Sequence, residues 1–291
     1  MQAAMSLFGR LDDLAQSLRK AKAARDSDKK IELPDLDEQE ILEDLHVQPL
    51  MQGVLPSGEV RIFGKYSESE INELMDWSGI FHEIARKDYK DYHVELQYLS
   101  ELDQRILIRW QSEILFHLRL KLSHFRFRLN PGAPSKKLLY IDWLMTRHPL
   151  ASKVRAERLF PGQDMPGLGI FNEIADFVFN LALGVGAKGA FNIPEYFHDA
   201  VLFHRQFRFY DPAREAFFRA LIRDLRRHGA RRISNALAEG RIRDQDGQEV
   251  HWVPGEMIHL IDPEFGDTIW SQDYFTRIVR HLKRIRFEMI E

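Results

Sequence analysis

The sequence predicts an α+β protein that is mainly α-helical, with helices packed around one long central helix and two small β-hairpins. Three observations predict it. Leu99, Leu102, Ile106, Trp110, Ile114, Leu118, Leu122 and Phe125 recur at steps of three or four, the period of one helix face. Ile108, Leu115, Leu122 and Leu129 widen that stripe, and no Gly or Pro interrupts it before Asn130-Pro131-Gly132. Turn signals at Pro56-Ser57-Gly58 and Asp246-Gly247 place the hairpins at 48–64 and 241–261. The central helix is expected over about 95–124, and about 30 helical residues would span roughly 45 Å, enough to cross a domain.

In chain order, residues 1–25 place Leu7, Leu11, Leu14 and Leu18 on a narrow stripe, which reads as a helix that docks on a partner or on a second copy. Residues 26–47 are acidic and poor in apolar positions, so 1–47 forms an N-terminal helix and arm, and 48–291 one globular domain. Ser67 and Glu70 form a capping box for a helix with Ile71, Leu74 and Met75 inward. Residues 138–147 are a short apolar run, and 161–169 (PGQDMPGLG) are a loop. Residues 170–183 are apolar but interrupted by Glu173, Asp176 and Asn180, which fits a buried core helix and not a membrane span. Further helices are expected over 194–208, from Asp211-Pro212 onward, over 231–239 and over 271–288.

Composition narrows the chemistry. A chain of 291 residues with 44% hydrophobic and 29% charged residues has the makeup of a globular protein with a sizeable core. It contains no Cys, which removes disulfides, thiolate nucleophiles and Cys-ligated metals. The amphipathic first 25 residues lack the apolar core of a signal peptide, so a cytoplasmic protein is the expectation. Net charge is only −3, but the charge is segregated. Residues 31–103 hold eighteen acids and five bases, whereas 205–243 hold eleven arginines and four acids.

Three groups of residues could carry chemistry. Glu195-x-x-His198, with Glu173 on the preceding helix, has the i, i+3 spacing of a metal-binding carboxylate–histidine pair. Gly184, Gly186, Lys188 and Gly189 supply the ingredients of a phosphate-binding loop, though without the Walker spacing. Arg219, Arg223, Arg226 and Arg227 lie outward on a helix whose inner face is Phe218, Leu221, Ile222 and Leu225, a surface for a protein partner, nucleic acid or other polyanion. Each has an ordinary structural explanation: core-edge histidines, a helix C-cap, and a solvated face neutralised by the acidic segment. No catalytic motif of the Gly-x-Ser-x-Gly or His-Glu-x-x-His kind is present, and no cofactor is specified. The expected function is therefore non-catalytic binding or assembly through the segregated charges and residues 1–25. A metal- or phosphate-handling enzyme is the alternative, and polyanion binding the second.

Overall fold

The computed structural model describes residues 60–151 and 159–290. The N-terminal helix and arm expected over 1–47, and most of the hairpin expected over 48–64, lie outside the described residues. Helix α1 (Glu68–Trp77) begins at the expected capping box, with Ser67 and Glu70 each accepting from the other's backbone N–H. Helix α2 (Ile80–Ala85) follows through Gly79, which is left-handed at φ 82°.

The central helix is corrected outright. Residues 93–125 form three antiparallel strands, β1 (His93–Ser100), β2 (Asp103–Trp110) and β3 (Glu113–Phe125). The apolar run 138–147 becomes β4 (Lys136–Thr146). They belong to a seven-stranded mixed sheet, so the chain is not mainly helical around two hairpins. The physical reason lies in the alternation Leu118-Arg119-Leu120-Lys121-Leu122, which sends leucines to one face and cations to the other. In register, Leu118 stands opposite both Ile106 on β2 and Leu144 on β4. The β2–β3 turn is made by Gln111 at φ 53°, so no glycine marks it in the sequence.

Helix α3 (Phe171–Gly184) follows β4 and returns the chain to β5 (Gly189–Asn192). Then come α4 (Phe197–Phe203), the two-residue β6 (Arg208–Phe209), α5 (Pro212–Leu225) and α6 (Gly229–Ala238). Asp211 caps α5 with Pro212 at its first turn, as expected. The helix expected over 194–208 is shorter, because Arg208 and Phe209 pair as a strand. The expected hairpin at 241–261 divides. β7 (Ile242–Asp244) turns back through Gly247 but pairs with the C-terminal β9 (Phe287–Met289), whereas β8 (Met257–Leu260) enters the main sheet. Helices α7 (Pro263–Ile269) and α8 (Gln272–Arg284) lie between β8 and β9.

The main sheet runs β1-β2-β3-β4-β5-β8-β6, and its neighbours are antiparallel except for β4 and β5. Ile106, Ile108, Phe116, Leu118, Leu120, Leu139 and Ile141 form one face and join α1, α2 and α3 in the main core. Phe125, Leu138, Phe191 and Ile258 bury the other face against Phe265 and Ile269 of α7. Farther along that second face the strands carry charges, paired as Glu95–Arg109, Asp103–Arg105 and Arg119–Asp142. No helix among the described residues is long and apolar enough to cross a membrane.

Candidate functional site

A parallel pair needs a crossover, and β4–α3–β5 supplies it. The pairing covers only Leu139↔Ala190, Tyr140↔Phe191 and Ile141↔Asn192. Beyond that rung β4 continues to Thr146, still paired with β3, while β5 has ended. The register of β4 on β3 jumps from Ile141↔Leu120 to Trp143↔Arg119, which leaves Asp142 as a bulged residue where β5 departs. The two strands thus separate at their C-terminal ends. Trp143 on one side and Ile193 on the other are exposed. Asn192, on the last rung, is buried, and its Oδ1 has no hydrogen-bond partner among the described residues. Ligands in open α/β sheets bind at the C-terminal ends of strands, where the topology changes.

The segment entering α3 closes one side of the opening. His148 N–H donates to Pro166 O at 2.8 Å, and Leu168 N–H to Thr146 Oγ1 at 3.1 Å, so the loop is tied to the end of β4. A Cβ on Gly167 would stand 2.8 Å from Thr146 Oγ1, which explains glycine there. Gly169 is left-handed at φ 70°, with nothing within 4 Å of where its Cβ would be. No side chain caps the N-terminus of α3. Its first amides are free of a side-chain cap, and Glu173 is the acidic residue of that first turn.

The β5–α4 junction leads into a second cluster. Phe160 stacks on His198, with ring centroids 4.4 Å apart at 17°. Tyr196 flanks His198 at 5.4 Å, and Arg231 lies over Phe160. His198 Nδ1 is 3.0 Å from Ser234 Oγ of α6. Burial pushes the His198 imidazole down to about 4, so it is neutral at pH 7. Asp199 accepts from the Tyr196 N–H at 3.3 Å. Burial raises the Asp199 carboxyl to about 6, against the lowering effect of the Tyr196 N–H and with a small push from Glu195. A neutral imidazole beside a carboxyl that titrates near neutrality is an acid–base arrangement.

The metal set expected from sequence does not converge. Glu195 is exposed, Glu173 turns its Cγ toward Gly79, and His198 faces Ser234. Among the described residues no three His, Asp or Glu side chains gather as a metal site. Glu256 and His259, which share the same i, i+3 spacing, lie at and within β8, where His259 stacks on Phe179 and its Nδ1 is 2.8 Å from Gln206 O. Gly184, Gly186, Lys188 and Gly189 run from the C-terminal end of α3, where carbonyls project, into the start of β5. Lys65 Nζ caps Gly184 O, Ala187 N–H bonds to Ala182 O, and Lys188 N–H to Lys137 O. Cβ atoms on Gly184 and Gly189 would overlap Tyr66 Oη and His259 O, so these glycines serve close packing. Of the four arginines expected to face a partner, Arg219 bonds Glu215 and Arg223 bonds Asp224. Arg227 Nε reaches His228, and Arg226 has no partner among the described residues.

Sequence reasoning missed the bulge at Asp142, the buried Asn192, the close packing at Gly167, and the Phe160–His198 stack with Asp199 beside it. The one signal available was PGQDMPGLG running directly into an apolar helix. The chain matches no protein-family model and no curated protein.

Proposed function

We propose that the opening between β4 and β5 binds a phosphate-bearing group carrier of the coenzyme A type, and that the protein transfers the group it carries. The observation behind this reading is the separation of the parallel pair at a bulge. Residues 142–146 of β4 keep one strand neighbour instead of two, so a narrow, extended ligand bearing amides can lie along that edge as a strand would. The uncapped start of α3 favours a phosphate at the same end of the crossover. An amide-bearing arm joined to a phosphate ester is the chemistry of a phosphopantetheine carrier. In this reading we assign to Asp199, whose carboxyl burial raises to about 6, the proton released by an acceptor amine or hydroxyl as it attacks the carried acyl group and the thiolate leaves.

The test is calorimetric titration of the full chain with coenzyme A and with inorganic phosphate. Gly169→Asp places a carboxylate at the start of α3, in a left-handed position that Asp tolerates and with open space for its Cβ. Coenzyme A affinity should fall at least about tenfold, or about 1.4 kcal/mol, in this variant. Gly132→Asp, equally open and left-handed, serves as the control and should bind normally. Absence of coenzyme A binding to the unaltered chain, or unchanged affinity in Gly169→Asp, would overturn the reading. Non-catalytic binding through segregated charge keeps one supporting observation, a cationic groove between α4 and α5.

A further inference from the structure

Between α4 and α5 lies a groove of about 760 Å³. Its floor is apolar, made by Val201, Phe218 and Ile222, and its rim carries Arg205, Arg219, Arg223 and Arg226. Two rim charges are answered internally. Arg219 pairs with the fully buried Glu215, and Arg223 with Asp224 while also donating to Leu282 O and Ile285 O. Arg205 and Arg226 are exposed and hydrogen-bond to no described residue. The groove thus has two uncompensated guanidinium groups above an apolar floor.

We propose that residues 31–47 of the same chain occupy this groove. Residues 31–47 carry seven acids (Glu32, Asp35, Asp37, Glu38, Glu40, Glu43 and Asp44), no Lys or Arg, and leucines and isoleucines spread between them. Acids meet the rim and apolar side chains meet the floor. The tether is long enough. Twelve residues separate Val47 from Val60, where the described fold begins, and the thirteen Cα–Cα steps can span up to roughly 45 Å. A compact unit of this size has a radius of gyration of about 17 Å, so that reach equals its width. A nucleic acid fits less well, because stacking on bases needs exposed rings and Phe218 is buried. This inference does not rest on the coenzyme A reading, and each can fail without the other.

The experiment uses the full chain carrying Arg205→Lys and Arg226→Lys, which keeps the rim charge but supplies amines. A zero-length carbodiimide then joins those amines to carboxylates in contact, and mass spectrometry maps the links. The expected result is an intramolecular link from position 205 or 226 to an acid within 31–47, with yield falling roughly tenfold from low to high salt. Links confined to acids outside 31–47, links between two molecules, or no link at all would each overturn the proposal. A charge-swap cycle provides the second reading. Reversal of Glu40, Glu43 and Asp44 to Lys, and of Arg205 and Arg226 to Glu, should each lower the denaturation midpoint. The combined variant should recover part of the loss, and strict additivity would count against contact.

Discussion

Ile141 and Asn192 face each other as the last rung of the parallel pair, and the next residue of β4, Asp142, is bulged. The bulge ends regular pairing where a buried polar side chain has an oxygen without a hydrogen-bond partner among the described residues. Buried oxygens without partners are destabilising, and they persist where a ligand completes them.

Replacing Asn192 with Leu, similar in shape, removes that unsatisfied oxygen. The variant should hold its stability or gain up to about 1 kcal/mol in chemical denaturation, while losing affinity for coenzyme A. A loss above about 1 kcal/mol would mean that the Asn192 amide is needed by the fold itself.

Leu118 is fully buried between β2 and β4. Truncation to Ala should cost about 2–5 kcal/mol, because the surrounding sheet cannot collapse into the space. Trp110, on the same expected stripe, is only partly buried, against the edge of Tyr89 at 5.0 Å. Trp110→Ala should therefore cost less than Leu118→Ala, and the reverse order in denaturant melts would contradict the packing described.

Several elements were legible because their signals are local. The capping box at Ser67 and Glu70, the Asp211-Pro212 start of α5 and the apolar helix α3 were all readable from adjacent residues. The strands were not, for a physical reason. Ile106, Ile114, Leu118 and Leu122 satisfy a 3.6-residue period while Leu118, Leu120 and Leu122 satisfy a period of two. Turns decide between the two patterns, and here Glu101-Leu102 and Gln111-Ser112 carry neither Gly nor Pro. The site was hidden more deeply. Asn192 and Phe160 are 32 positions apart, and only the crossover brings their loops to one end of the sheet. The bulge at Asp142 depends on register with β3, which no single-strand pattern encodes.

Glu215 shows how the arginine face is held. It is fully buried, with Oε1 accepting from Arg219 Nε at 2.6 Å and lying 2.8 Å from His204 Nε2, while Oε2 accepts from the Phe209 N–H at 3.1 Å. Burial alone would push its carboxyl up, but His204 and Arg219 outweigh that and hold it below the usual range. Glu215→Gln should cost about 2–4 kcal/mol, since it weakens three interactions inside the core. Arg219→Ala should cost about 1 kcal/mol or less, because the arginine is 40% exposed and water can replace it. Equal losses in the two variants would refute this asymmetry.

His198 and Asp199 predict a pH response whose parts oppose each other. The imidazole drops from 6.5 to about 4 on folding. As pH falls from 6.5 toward 4 the unfolded chain takes up a proton that the folded chain refuses. Stability then declines by at most about 3 kcal/mol at 1.36 kcal/mol per pKa unit, with no further loss below 4. Asp199 moves the other way, from 3.8 to about 6. Its contribution is fully present below 3.8 and is lost as pH rises through 6. With 35% of the side chain exposed, solvent screening reduces the size of that contribution but not its direction. The two slopes therefore cancel in part between pH 4 and 6, and removing one exposes the other. Asp199→Asn keeps the size of the side chain and an oxygen for the Tyr196 N–H, while abolishing the titration. Relative to the unaltered chain, this variant should be more stable at pH 8, where Asp199 is charged. The advantage should shrink on acidification and vanish below about pH 4, where both side chains are neutral. Denaturant melts of the two proteins across pH 4–8 read this difference directly, and groups common to both drop out. A difference that stays flat with pH, or grows toward acid, would show that the Asp199 carboxyl is not raised on folding.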